Sequence, residues 1–422
     1  MSTTGPFASV RVVRRTVAVL VVLVAGGCEG EPAAGLVTTP APETCDDTDA
    51  GPSTEIDAAI DAGVDAAIDA GVDAAIDAGV DAALDSGVDA GVDGGPIVID
   101  AGTDAGQPAC ACATRDLGAL PPELAELTWP ALPITTSVID VDTDSELRAA
   151  LDAFSNVTVR VHGDHAGFYT IRGSDVEVIL DPDASIEALT IYWSQQRIRI
   201  SGGSYDTIQI WLPIDFNNPP HTPQEHLMVS DVTIECVTVR SSDTAFFLHG
   251  RRIAIVGADV TAARYSLFTG LVAPLFSEDV IVAHSVLRSA GPEATVRFHE
   301  TDRTVVARST LTNPGKHNWR VHGSSSRAYL GESTLVGTGF MLGNEPGDDI
   351  DRAWIVGSTV HYSGTNGLAI VSPTTISDLT ITDNVFYSDS GFGLPPAPPS
   401  WTVTRNTTLP YAPPAPDVET CH

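Results

Sequence analysis

VIVAHSVL (280–287), TVVARSTL (304–311), AYLGESTL (328–335), WIVGSTVH (354–361), LTITDNVF (379–386) and WTVTRNTT (401–408) are six copies of one strand and turn. In each copy alternating apolar residues lead, and Ser or Asn follows at a fixed offset, usually with another apolar residue two places on. The markers Ser285, Ser309, Ser333, Ser358, Asn384 and Asn406 stand 24, 24, 25, 26 and 22 residues apart. A period of about 20–30 residues with two-residue alternation inside it predicts stacked strands of a solenoid.

Working back toward the N-terminus, VEVILD, IRISGG, LMVSDV and IAIVGAD occupy the same column in earlier coils. Between Trp211 and His226, LPIDFNNPPHTPQEH breaks the rhythm and reads as a projecting loop. Ahead of the first coil, Thr143 and Glu146 have capping-box spacing, and Leu147, Ala150, Leu151 and Phe154 share one helical face. A short amphipathic helix is therefore expected before the first strand, NVTVRVHG (156–163), where it would cover an otherwise open core and strand edges.

The cap segment has the form S/T-x-x-E-L-x-x-A-L (143–151) and is followed by short strands in coils of this length. That combination resembles the right-handed parallel β-helix of the pectate-lyase superfamily, over roughly Ile139 to Leu409. The resemblance implies an all-β fold: a single-stranded right-handed parallel β-helix solenoid with a short N-terminal capping helix. It also implies that the Ser/Asn markers stack as an internal ladder. It narrows function little, since the fold hosts lyases, hydrolases, esterases, phage tailspikes and inert adhesins.

The 422 residues carry a formal net charge of -33, unevenly spread. Between Glu29 and Cys110 there are 19 Asp and Glu and no Lys or Arg, while the remainder from Ala111 onward is at about -17. Nucleic acid is not expected as a partner, because phosphate binding needs clustered Lys and Arg. Arg11, Arg14 and Arg15 precede an apolar run (17–24), small residues and Cys28, too short a run to span a bilayer. This arrangement resembles the signal and lipobox of bacterial lipoproteins, with Ala25 where those sequences carry Leu. The resemblance implies acylation of Cys28 and export to the cell envelope, at the outer membrane or cell surface.

From Asp57 to Asp93 an Asp recurs every fourth residue among Ala, Gly and Ile. Like charges at that spacing and repeated Gly disfavour a helix, so an extended, self-repelling spacer is expected. A calcium-binding array would need a glycine-rich nonapeptide pattern that is absent, and no cofactor is expected. The expected organisation is a signal (1–27), an acidic linker (28–110), a lead-in (111–138), the β-helix (139–409) and a Pro-rich tail (410–422), as a monomer. Of the remaining cysteines, Cys45, Cys110, Cys112 and Cys421 flank the main domain and can staple its ends. Cys236, within VTIECVTV, reads as a buried thiol.

A later strand in each coil supplies the candidate site. Aligning TIYW, IQIW, FFLH, SLFT, VRFH, WRVH, FMLG and LAIV points Ile191, Ile210, Leu248, Phe268, Phe298, Val321, Leu342 and Ile370 inward. One outward column then reads Thr190, Gln209, Phe247, Leu267, Arg297, Arg320, Met341, Ala369; the next reads Tyr192, Trp211, His249, Thr269, His299, His322, Gly343, Val371. Arg297 and Arg320 should be neighbours, with His299 and His322 beside them and Lys316, Glu300 and Asn344 at the strand ends. Either Glu300, Glu332 or Glu345 neutralises the arginines, or an anionic ligand does.

The chemistry fits an anionic polysaccharide that is bound, and in one reading cleaved by β-elimination. Elimination at a uronic acid needs cations on the carboxylate, a base for the adjacent proton and a donor for the leaving oxygen. The candidates for catalysis are Lys316, Arg320, His299 and His322; those for substrate binding are Arg297, Trp211, Tyr192 and His249. A non-catalytic structural or adhesive surface protein is the alternative. Hydrolysis is less well supported: GDDID (347–351) is similar to the paired Asp of polygalacturonases, but their companion motifs are missing. His221, Glu225 and His226 suggest a metal only loosely, since Pro223 breaks any helical presentation. Cys28→Ala should move the protein from the membrane to the soluble fraction; unchanged partitioning would reject the anchor.

Overall fold

The computed structural model describes residues 115–212, 224–270, 276–343, 347–362, 368–370, 375–389 and 398–414. Cys28, the acidic linker, the loop around His221, and Asn344, Glu345, Ile370, Val371 and the tail beyond 414 lie outside what is described of side chains.

Over the described residues the chain is a parallel β-solenoid of about 10 turns. One sheet stacks twelve strands, from Ser137–Val141 through Val157–Val161, Ser277–Ala283 and Thr301–Ala307 to Thr402–Thr404, each one coil on from its neighbour. The return path forms a second sheet of 17 strands. In early coils it is one long strand, such as Ser204–Ile210; later it divides into two short ones, such as Thr238–Ser241 and Phe246–Leu248. The shorter strand after each marker, exemplified by Val286–Ser289, goes beyond the two-strand coil expected from sequence.

Burial follows the two-residue alternation. Val159, Val178, Ile200, Ile234, Ile255, Val282, Val306, Leu330, Ile355 and Ile381 are register partners in one column, all fully buried. Each such side chain contributes about 1.5–3 kcal/mol relative to exposure. The helix α1 (Asp144–Ala153) closes the first coil, and its Thr143–Glu146 capping box is formed in both directions. Leu147, Ala150 and Leu151 are buried as expected, but Phe154 is extended and 45% exposed, because the helix has ended. A strand, Ser137–Val141, precedes the helix and pairs with Val157–Val161, so NVTVRVHG is the second strand and not the first.

The turn after each first-sheet strand is sharp. His284, Arg308, Glu332, Asp383 and Arg405 adopt φ of 47–60°, a left-handed conformation that costs a non-glycine residue about 1–2 kcal/mol. It swings the next residue, the Ser or Asn marker, inward. There Ser285, Ser309 and Ser333 accept a hydrogen bond at Oγ from the backbone N–H of Ala258, Ser285 and Ser309, at 3.1–3.2 Å. Each hydroxyl donates to the carbonyl two residues earlier, at 2.8–2.9 Å. Ser358 Oγ accepts from Ser333 N, Asn384 Oδ1 from Ser358 N, and Asn406 Oδ1 from Asn384 N, extending the ladder through the last coil.

A second left-handed column runs through the first sheet at Asp175, Arg197, Asp231, Arg252, Asp279, Arg303 and Arg327. Opposite charges fall on successive coils as far as Arg303, which Arg327 then follows directly. Arg197 and Arg252 grip Asp175 and Asp231 with two bonds each, at 2.5–2.6 Å, Arg303 pairs with Asp279, and Arg327 with Asp302.

The lead-in lies across the outer face of the same sheet. Leu117, Leu120, Leu124, Leu127 and Trp129 pack on Ala254, Val256, Ile281, Ala283, Val305, Ala307, Tyr329 and Trp354, so these central strands are buried on both faces. The segment is pinned where Arg308 meets Asp116, then where Asp231 Oδ1 accepts from Ala131 N (3.0 Å) and Asp175 Oδ1 from Ile134 N (3.0 Å). Cys236 is disulfide-bonded and not a free buried thiol. It occupies the turn position before Val237 with φ 56°, at the coil surface, where a partner can reach it. All other cysteines lie outside the described residues.

Ser333→Ala should destabilise the chain by about 1–3 kcal/mol, since it strands the buried Ser309 N–H. A denaturant melt within 0.3 kcal/mol of the parent, roughly the scale of a neutral surface change, would show that the ladder contributes little.

Candidate functional site

Thr190, Gln209, Phe247, Phe268, Arg297, Arg320 and Met341 are successive register partners on the third strands, forming one outward column. The sequence alignment was one residue out in a single coil. Leu267 pairs with Phe246 and Val296 in the core, and Thr269 with Leu248 and Phe298, while Phe268 points outward. Aromatic stacking explains the shift: the Phe268 ring lies 5.1 Å from that of Phe247, nearly parallel, and the Arg297 guanidinium sits 4.9 Å from its centroid.

The register pairs Arg297 with Arg320 and His299 with His322. Their accessibility departs from the expectation of an open surface. Arg320 is 8% exposed, His322 2% and His249 1%. Arg320 is buried beneath the turn that carries Glu293, whose carboxylate is 3.4 Å away. The His322 ring stacks on that of His299 at 4.3 Å, and its Nε2 accepts from Arg297 Nε at 2.6 Å, which puts the His322 proton on Nδ1. His249 packs edge-on against Phe247, and its Nδ1 accepts from Gly270 N at 3.3 Å. His299 is half-buried, near Glu300 (3.8 Å). Gly323, at φ 70°, leaves the room both need: a Cβ there would stand 2.7 Å from the His299 ring and 2.8 Å from Glu300 Oε1.

Lys316 is exposed on the preceding turn, which Asn313 Oδ1 shapes by accepting from Gly315 N and Lys316 N. Among the described residues no contact joins the Lys316 side chain to either arginine. Tyr192 and Trp211 lie farther along the face, with ring centroids 6.1 Å apart, and Trp211 is 46% exposed. Glu332 does not neutralise the arginines; it pairs with Arg308 on a different turn. Sequence reasoning missed Tyr265, whose hydroxyl accepts from Arg297 at 2.8 Å, and Glu293. Both sit on turns, where no periodicity marks a residue as facing its neighbour coil.

The charge balance is the site's distinctive property. Arg297 has no carboxylate within ion-pair distance among the described residues, and Arg320 has only Glu293; Arg320 Nε is buried without a partner. Burial, and then the charge of Arg297, lower the pKa of Arg320. Burial raises that of Glu300, Asp348 adding to the effect against an opposing bond from Ser324 N. Burial holds His249 down to about 3 and, with Arg320 and Lys316, His317 to about 4; His322 is lowered by burial and then by Arg297. The cluster thus combines two adjacent guanidiniums and imidazoles held neutral with the carboxylates of Glu293, Glu300 and Asp348 around them.

No family model and no curated protein matches the chain. A solved structure, ORF18 of Geobacillus virus E2, is similar over 63% of this chain at 10% identity and a TM-score of 0.23. The chain spans 60% of that structure's length.

These histidines bind protons less readily folded than unfolded. Between the ordinary histidine pKa near 6.5 and about 4, the unfolded chain therefore takes up more protons, and stability should fall as pH falls. Denaturation curves at intervals across this window should show that slope, and His317→Gln should reduce it. A flat profile would mean the imidazoles are not held neutral.

Proposed function

We propose that the third-strand face recognises an extracellular anionic polysaccharide, on a protein exported to a bacterial cell envelope and held there by a lipid on Cys28. The observation that supports recognition is the pair Arg297 and Arg320 on adjacent rungs, Arg297 with no carboxylate at ion-pair distance among the described residues and Arg320 with Glu293 alone. At contact distance the two guanidiniums face one carboxylate, Glu293 at 3.4 Å, with Asp348 adding a more distant negative charge. An acidic sugar would place its carboxylate beside Arg297, the less buried of the two.

β-Elimination on a pectate-lyase-like β-helix is the catalytic extension of this reading. The arginines would neutralise the uronate, and Lys316 or His299 would take the proton. His322 is less suited to that role, being buried, with Nε2 already bonded to Arg297. The Arg320–Glu293 contact favours the alternative, a surface network without a ligand.

Immobilised anionic glycans at low salt should retain the protein and release it as salt rises. Arg320→Ala should weaken retention about tenfold or more, the worth of one charged hydrogen bond. Arg405→Ala, at an exposed pair with Asp383, should leave it unchanged. Lys316→Ala and His299→Ala would separate base from binder if one loses turnover while still holding glycan. Passage through every anionic matrix at low salt would establish the structural network instead.

A further inference from the structure

The outward face changes character along the solenoid axis. Tyr192 and Trp211 are followed, one coil at a time, by Phe247, Phe268, Arg297 and Arg320. At about 4.8 Å per rung, Trp211 stands roughly 14 Å from Arg297, and Tyr192 roughly 24 Å from Arg320. Two aromatic features therefore precede the cations, the exposed Trp211 beside Tyr192 and the stacked Phe247–Phe268 pair, and the Arg297 guanidinium lies against the Phe268 ring.

The turn whose Tyr265 bonds Arg297 also carries the exposed Arg264, 5.2 Å from that ring, at the cationic end, and the aromatic half itself holds no cation in its outward column. Its outward column reads Thr190, Gln209, Phe247 and Phe268, and Arg172, stacked 4.6 Å from the Tyr192 centroid, is already paired with Asp152. An acidic unit lying there would meet no cation and the field of a strongly negative chain. A neutral sugar would instead lay its apolar C–H face on the rings.

We propose that this face binds a glycan lengthwise and in two parts: an acidic unit at Arg297 and Arg320, and, about three units away toward the N-terminal coils, a neutral unit on Trp211 and Tyr192. The inference rests on the anionic-glycan reading above and names its substrate class, a heteropolymer of acidic and neutral units in preference to a homopolymer of uronic acid.

The test uses the full chain and two graded sets of oligosaccharides: hyaluronan fragments, which alternate uronate with N-acetylhexosamine, and oligogalacturonates, which are acidic throughout. Titration followed by tryptophan fluorescence and calorimetry should show hyaluronan affinity rising about tenfold between two and six units, without a comparable step for oligogalacturonates. Trp211→Ala should bring the hexamer down to the affinity of the dimer, and Trp211→Phe should restore most of the difference. Trp211 is exposed, so its truncation leaves the core packed. Binding of both sets with no length step, an equal step for both, or a step that survives Trp211→Ala would overturn the two-part site while leaving anion recognition standing. Binding of neither set at low salt would instead remove the anionic-glycan reading, and this inference with it.

Discussion

The coils from Ser285 onward depend on one local constraint: a left-handed residue followed by a small polar side chain turned into the core. The backbone conformation is costly, and the buried N–H of the following residue would be costlier still without an acceptor. A Ser hydroxyl resolves both demands. It accepts from the coil before it and returns its own proton to the carbonyl two residues back, so no polar group is orphaned as the ladder passes from Ser285 to Ser333. Because that solution repeats at one place per coil, strand register is fixed across the stack, and the aliphatic columns behind it align.

Register also dictates where charge can reside. Side chains at equivalent positions in successive coils are about 4.8 Å apart, close enough that like charges repel and opposite charges bond. The first sheet uses this: Asp175 with Arg197, Asp231 with Arg252, and Asp279 with Arg303 alternate along its left-handed column. The third-strand face breaks the pattern. Arg297 follows Phe268 and precedes Arg320, so two arginines stand side by side as Arg303 and Arg327 do in the first sheet, but without an aspartate such as Asp302 bonding both. The Tyr265 hydroxyl and a neutral His322 accept from Arg297 without cancelling its charge.

The repeat made the fold readable, because Ser309, Ser333, Ser358 and Asn384 fall at one place in the coil and the capping box around Thr143 is a local pattern. What escaped was decided by distant partners or by ambiguity between neighbours. Val138 and Ile139 form a strand only because Thr158 and Val159 lie alongside. Leu267 and Phe268 are both apolar, and alternation cannot say which of two adjacent apolar residues faces the core; Phe247, a coil away, decides it. The Arg297–Arg320 pairing was legible from period two, whereas the burial of Arg320 comes from a turn bearing Glu293. The lead-in carried no periodic pattern, so nothing in the sequence named Ile281 and Val305 as what Leu117, Leu124 and Trp129 cover.

That covering segment also decides where the solenoid takes up mechanical load. Among the described residues the chain first meets the stack partway along, where Asp116 bonds Arg308, and then runs back over the sheet to Ser137. Tension entering at Arg115 therefore falls first on Leu117 and the Asp116 pair, against strands held by neighbours on both sides. To reach the terminal coil and its capping helix, a pull must first strip Leu124, Leu127 and Trp129 from the sheet. The edge most easily unzipped is thereby shielded from force by about 20 residues of packed chain.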